Sequence, residues 1–209
     1  MTSLDALADA GWRTVRPDTE RVVRVRRAEG SDREALARMF DRCAPSTRYS
    51  RFHGPVKAIP ERYLAEALSG SPFHHALVAC PPPVVDTDTD LAPAPAPDAV
   101  VPTGEVVPTS GVVPTGEVVA LASCRLIDEG AAELGVLIED TWQRHGLGTR
   151  LVSDLVTYAS GIGLRVLEAQ LLVEQSWIAG LLRPYGTCRV RPAWSGVLQA
   201  TVRLGERSA

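Results

Sequence analysis

A chain of 209 residues with 45% hydrophobic and 22% charged residues is long enough to bury a full core, and it favours one decorated domain over two complete ones. A formal net charge of -3 argues against a protein that works mainly by coating nucleic acid or an anionic membrane, so any basic site is local. No segment approaches the roughly 20 apolar residues needed to cross a bilayer.

The N-terminus, Met-Thr-Ser-Leu-Asp-Ala-Leu-Ala-Asp, carries acids where a secretory leader carries positive charge, which predicts a cytoplasmic chain. Cys43, Cys80, Cys124 and Cys188 are far apart and lack histidines at ligand spacing. They are expected to be reduced, buried thiols, with no metal site.

Residues 1–20 read as an N-terminal extension, a short helix and a linker, ahead of one domain over 21–209. Arg21 to Arg26 alternates as a first strand. Ser31-Asp-Arg-Glu34 has the form of a capping box, predicting a helix with Leu36, Met39 and Phe40 on its buried side. A second helix is expected from Pro60 to Leu68, where Tyr63, Leu64, Ala67 and Leu68 recur at helical spacing and Gly70 ends the run. Phe73 to Cys80 and Glu117 to Ile127 read as strands. His74 and His75, adjacent on the first of these, should face opposite sides.

Between those strands, residues 81–116 are dense in proline, alanine and threonine, and they hold the repeat Val-Val-Pro-Thr-Gly-Glu beginning at Val100 and again at Val112, with a variant at Val106. Proline at this density removes donors and fixes φ, so the segment is expected to be a disordered insertion in a strand–strand hairpin. After the turn signal Asp128-Glu-Gly130 comes Glu133-Leu-Gly-Val-Leu-Ile138, a strand, and then Gln143-Arg-His-Gly146-Leu-Gly148-Thr149 opening a helix to about Ser160. A strand from Arg165 to Val173, a short helix from Ser176 to Leu182 and a last strand from Gly196 to Leu204 complete an α+β order with a mostly antiparallel sheet.

A strand that delivers two glycines to a helix N-terminus offers outward-pointing N–H groups at the positive end of the helix dipole, which suits a diphosphate. The dinucleotide fingerprint would need a third glycine where Leu151 stands, and no Gly-Lys-Ser/Thr triplet follows, so both common phosphate-loop rivals are disfavoured.

The spacing Gln-x-x-Gly-x-Gly between a strand and an amphipathic helix resembles the GNAT-type N-acetyltransferases, over Arg21 to Leu204 apart from the proline-rich segment. The resemblance implies a GNAT-like mixed, mostly antiparallel sheet with flanking helices and a splayed central strand pair. It further implies acetyl-CoA as acetyl donor, its pyrophosphate held by Arg144, His145, Gly146, Leu147, Gly148 and Thr149. Val136, Leu137 and Ile138 would pair with the pantetheine arm, and Gln175 stands where family members place an asparagine. The tyrosine that often serves as the acid for the coenzyme sulfur would fall at Leu182, a departure from the pattern. Ser46-Thr-Arg-Tyr-Ser-Arg-Phe52 looks like the Ser-x-x-Arg-Tyr-x-Arg-Phe segment of the protein-lysine acetyltransferase branch, although Tyr49 and Phe52 can equally pack while Arg48 and Arg51 cap or pair.

A lysine amine titrates near 10.4, so at neutral pH only about one molecule in a few thousand is neutral and nucleophilic. Glu133 is the expected general base, with Gly135 on the same strand face leaving space for the amine or a water. The resemblance points to the same residue, ten positions before the loop glutamine. The expected acceptor is a protein lysine, with a small-molecule amine as the alternative; a non-catalytic acetyl-CoA sensor is the rival from another class. Oligomeric state is not legible.

Overall fold

The computed structural model of the chain describes residues 13–18, 21–81, 117–194 and 196–205. Eight strands form one sheet: β1 (Arg13–Asp18), β2 (Arg21–Arg27), β3 (His74–Cys80), β4 (Ala120–Asp128), β5 (Ala131–Ile138), β6 (Val166–Leu172), β7 (Gly186–Trp194) and β8 (Val197–Leu204). Their order across the sheet is β1-β2-β3-β4-β5-β6-β8-β7. Every neighbouring pair is antiparallel except β5 and β6, which α4 (Leu147–Gly161) joins in a parallel crossover.

Three more helices, α1 (Arg33–Arg42), α2 (Pro45–Phe52) and α3 (Glu61–Leu68), follow β2. α4 turns Leu147, Leu151, Leu155 and Ala159 onto one face of the sheet, where Val23, Val25, Ala122 and Leu167 meet them. On the opposite face Leu36, Met39 and Phe40 of α1 and Leu64, Ala67 and Leu68 of α3 cover Val78, Leu121 and Leu137. Strand β5 serves both layers because its side chains alternate: Ala132 and Leu134 enter the first cluster, Leu137 the second.

Several elements differ from expectation. Within the N-terminal extension, residues 13–18 form a strand paired with β2, where a helix and linker were expected. The helix-start box is not Ser31 with Glu34. Glu29 N–H donates to Asp32 Oδ2 at 2.8 Å, a short turn of 3-10 helix intervenes, and Asp32 also takes Arg26 Nη1 at 2.6 Å in a fully buried pair. The buried arginine decides the outcome, since its charge calls for a carboxylate and Asp32 supplies it through two hydrogen bonds.

Arg48 to Phe52 lie on a helix, α2, opened by Pro45 at its first position; the stretch from Ser176 is instead 3-10 turns spanning Val173–Leu181, broken at Gln175. Strand β7 also escaped, because Gly186 and Pro192 argue against a strand interior. It is the edge of the sheet, where proline is tolerated. The repeat-bearing residues 82–116 lie outside the described residues. Among the described residues, no helix is long and apolar enough to cross a membrane.

Candidate active site

The sheet opens at its centre. β5 and β6 pair only from Ala131–Val166 to Leu134–Ala169; beyond that point β6 stays with β8, through Gln170–Gln199 to Leu172–Val197, while β5 stays with β4. The expected splay is therefore present, and it begins at Gly135. A cleft of about 960 Å³ runs along it, lined on one side by Val136, Leu137 and Ile138 and on the other by Gln170, Leu171 and Gln175.

At one end of the cleft lies the loop into α4. Arg144 has φ 63° and Gly146 φ 79°, two left-handed residues flanking His145 that turn successive N–H groups toward the cleft. The first helical hydrogen bond is Arg150 N–H to Gly146 O at 3.1 Å. Among the described residues no backbone acceptor takes the N–H groups of Leu147, Gly148 or Thr149. A Cβ at 148 would come within 3.4 Å of Ile138 Cδ1, so glycine lets the loop approach the strand end.

These open donors, the positive helix end and the adjoining gap fit a diphosphate with an extended arm. Arg144, Gly146, Gly148 and Thr149 line the cleft, whereas Leu147 is 1% exposed and buries its side chain in the core. His145 is half-buried just outside the lining.

Gln143 instead holds the loop in place. Its Nε2 donates to Ile138 O at 2.9 Å and to Thr47 Oγ1 at 3.3 Å, tying the loop to β5 and α2. Gln175 behaves alike from the far wall, donating to Ser50 Oγ at 2.9 Å. Asp140 caps α2 across the chain, accepting from Ala44 N–H and from Thr47 Oγ1, both at 2.7 Å. Helix α2 is thus strapped over the cleft at both ends. Sequence spacing could not show it, because the partners lie about a hundred residues apart.

Glu133 faces the cleft with its side chain 27% exposed. Arg125, directly opposite on β4, donates from Nη2 to Glu133 Oε2 at 2.6 Å; Oε1 has no partner among the described residues. The room beside Gly135 is not empty, as the sequence suggested. The Arg51 guanidinium lies against its Cα, and a Cβ at 135 would collide with it. The Arg51 guanidinium carbon lies 5.0 and 4.8 Å from the ring centroids of Phe52 and Tyr63, and Tyr63 is fixed in turn by a 2.9 Å bond to Ser123 Oγ.

Arg48 is structural: it donates to Cys43 O and Asp41 O, closing the end of α1. Tyr185 packs on the core and does not line the cleft, and Leu182, at 3% exposure, offers no proton.

His53 also lines the cleft, at φ 51° and edge-on to Trp194. Burial first, then the charge of Arg51, hold its pKa below the ordinary 6.5, so it is neutral at physiological pH. His74 and His75 lie apart from this chemistry, His74 against Tyr63 and His75 stacked on Tyr158, on opposite faces as β3 dictates.

Comparison with known proteins agrees with this geometry. Residues 77–176 match the Acetyltransferase (GNAT) family. No curated protein matches the chain in sequence. The GNAT domain of S. lividans PAT superposes with a TM-score of 0.66 at 17% identity, covering 92% of this chain and 97% of that one. A GCN5-related N-acetyltransferase from Kribbella flavida gives 0.57 at 16% identity over 87% and 97%. The yncA protein of Salmonella typhimurium, solved with its cofactor acetyl-CoA, gives 0.55 at 17% over 90% and 96%. The matched stretch runs from β3 through the glycine loop to Ser176, just under half of the chain, and the sheet, its splay and the flanking helices have the GNAT fold, so the chain resembles the GNAT acetyltransferases in both the matched sequence and its architecture.

Proposed function

We propose that this protein transfers acetyl from acetyl-CoA directly to the side-chain amine of a lysine in another protein, with Glu133 as general base. The observation that carries the reading is the conjunction of a strand gap opening at Gly135, free amide donors at the α4 start beyond its far end, and a carboxylate two residues before it on the same rigid strand. In this reading Arg144, Gly146, Gly148 and Thr149 hold the pyrophosphate, with Leu147 contributing only its N–H and His145 at most its backbone. Val136, Leu137 and Ile138 offer main-chain groups to the pantetheine arm.

The amine gives up its proton through Glu133 Oε1, the oxygen left free by Arg125, as its nitrogen bonds to the acetyl carbon and the carbon–sulfur bond breaks. A backbone N–H of the splayed strand near Leu137 is the donor for the carbonyl oxygen as it gains charge. No side-chain acid is assigned to the sulfur. A thiol titrating near 8.5 leaves tolerably as thiolate. Gln175, tied to Ser50, borders the arm as a wall rather than as an acid.

The resemblance of Ser46 to Phe52 to a segment of the protein-lysine acetyltransferases favours a protein lysine as acceptor. We assign the cytoplasm as compartment, in keeping with four free thiols.

Coenzyme A release from acetyl-CoA, followed with lysine-bearing proteins and peptides, tests the reading. Glu133→Gln is expected to lower kcat by about 100- to 1000-fold while leaving acetyl-CoA affinity within about twofold. Undiminished turnover in that variant would remove Glu133 from the chemistry. Acetyl-lysine mass spectrometry on cells with and without the protein tests the acceptor class.

A further inference from the structure

Arg51 is a charged group of the cleft that acetyl transfer, as described, does not use. The wall made by α2, α3, β4 and β5 carries five charged side chains: Arg51, Arg62, Arg125, Glu66 and Glu133. Four are paired, Arg62 with Glu66 at 2.9 Å and Arg125 with Glu133 at 2.6 Å. Among the described residues Arg51 has neither a carboxylate partner nor a hydrogen-bond acceptor, so this wall holds three positive charges against two negative. His53, kept neutral by burial and by Arg51 itself, adds no charge.

The setting of this guanidinium also matters. It is half-buried, its carbon lies between the mutually perpendicular rings of Phe52 and Tyr63, and its other boundary is the bare Cα of Gly135. Aromatic rings attract the charge but offer no lone pair to its N–H groups, and among the described residues no oxygen takes them. A planar fork of donors held this way suits a carboxylate. Gly135 lies two residues along the same strand face from Glu133, about 7 Å at strand spacing. One acceptor molecule can therefore present its amine to the base and a carboxylate to the arginine.

We propose that Arg51 binds a carboxylate carried by the acceptor, so that the enzyme prefers amines bearing a nearby carboxylate. That carboxylate belongs either to a free amino acid or to an Asp or Glu beside the acceptor lysine of a protein. The inference rests on the acetyl-transfer reading above.

The test compares kcat/KM within two matched pairs: an amino acid against its amide, and a lysine peptide flanked by Asp against the same peptide flanked by Asn. The wild-type protein is expected to favour the carboxylate member of one pair by about 10- to 100-fold, and the pair that discriminates identifies the source. Arg51→Met should bring that ratio to within about twofold at unchanged acetyl-CoA KM and melting temperature, with Arg51→Lys in between. Gly135→Ala, which displaces the guanidinium while keeping Arg51, should erode the same ratio and serves if Arg51→Met does not fold.

Equal rates for both members of both pairs, or a preference that survives Arg51→Met, would overturn the assignment while leaving acetyl transfer intact. No coenzyme A release with any amine would instead remove the acetyl-transfer reading on which it rests.

Discussion

Glu133 and the residues around it show how far single positions could be read. Its place on β5 and its role as candidate base follow from period-two geometry and the spacing to the loop, both local properties of the chain. Its ion pair with Arg125 needed the hairpin register, and the Arg51 guanidinium over Gly135 needed the fold of α2 onto β5, which no local pattern encodes.

The glycine turn proposed to hold the pyrophosphate was legible for the same local reason, since Gly146 must adopt φ 79° before the helix begins. Gly146→Ala is expected to cost about 1 kcal/mol of stability and to weaken acetyl-CoA binding several-fold, read by thermal melting and calorimetric titration. Unchanged affinity would mean that the coenzyme does not contact this turn.

Among elements, those with strong internal periodicity were recovered, and those defined by partners were not. Helix α4 has one apolar face and β3 is buried along its whole length, so sequence alone places them closely. Helix α2 buries none of its residues fully, and strand β7 is exposed over most of its length; both exist because Asp140, Gln143 and β8 hold them.

The hairpin of β3 and β4 is closed on its own account: Val119 N–H donates to Ala79 O at 2.8 Å, just where residues 82–116 depart and return. Replacing those residues by a short turn is expected to shift stability by no more than about 2 kcal/mol, the scale of the loop-closure term, with acetyl-CoA affinity retained. A collapse in melting temperature would show that the segment supports the fold.

At the scale of the molecule, one buried base ties stability to pH. His74 is 3% exposed, and neither ring nitrogen has a hydrogen-bond partner among the described residues; Nδ1 approaches Glu66 Oε2 only to 3.9 Å. Burial, then the charge of Arg125, push its pKa below 6.5 despite Glu66. The unfolded chain therefore binds a proton more readily than the folded one. This contribution is fully present above about pH 6.5 and is lost progressively as pH falls from there toward the depressed native pKa. The melting temperature should drop between about pH 7 and pH 5, and His74→Leu should flatten that slope. An identical slope in the variant would assign it to other groups, of which His53, lowered likewise, is the next.

The sheet as a whole exists in function to hold two strands apart. Everything proposed for the chemistry depends on the gap between β5 and β6 receiving the donor. A crystal structure of the protein with coenzyme A bound tests this most directly. The expected result is the pyrophosphate on the amides of residues 144–149 and the arm against Val136 to Ile138. Phosphates bound elsewhere, or a gap closed by further β5–β6 pairing, would contradict it.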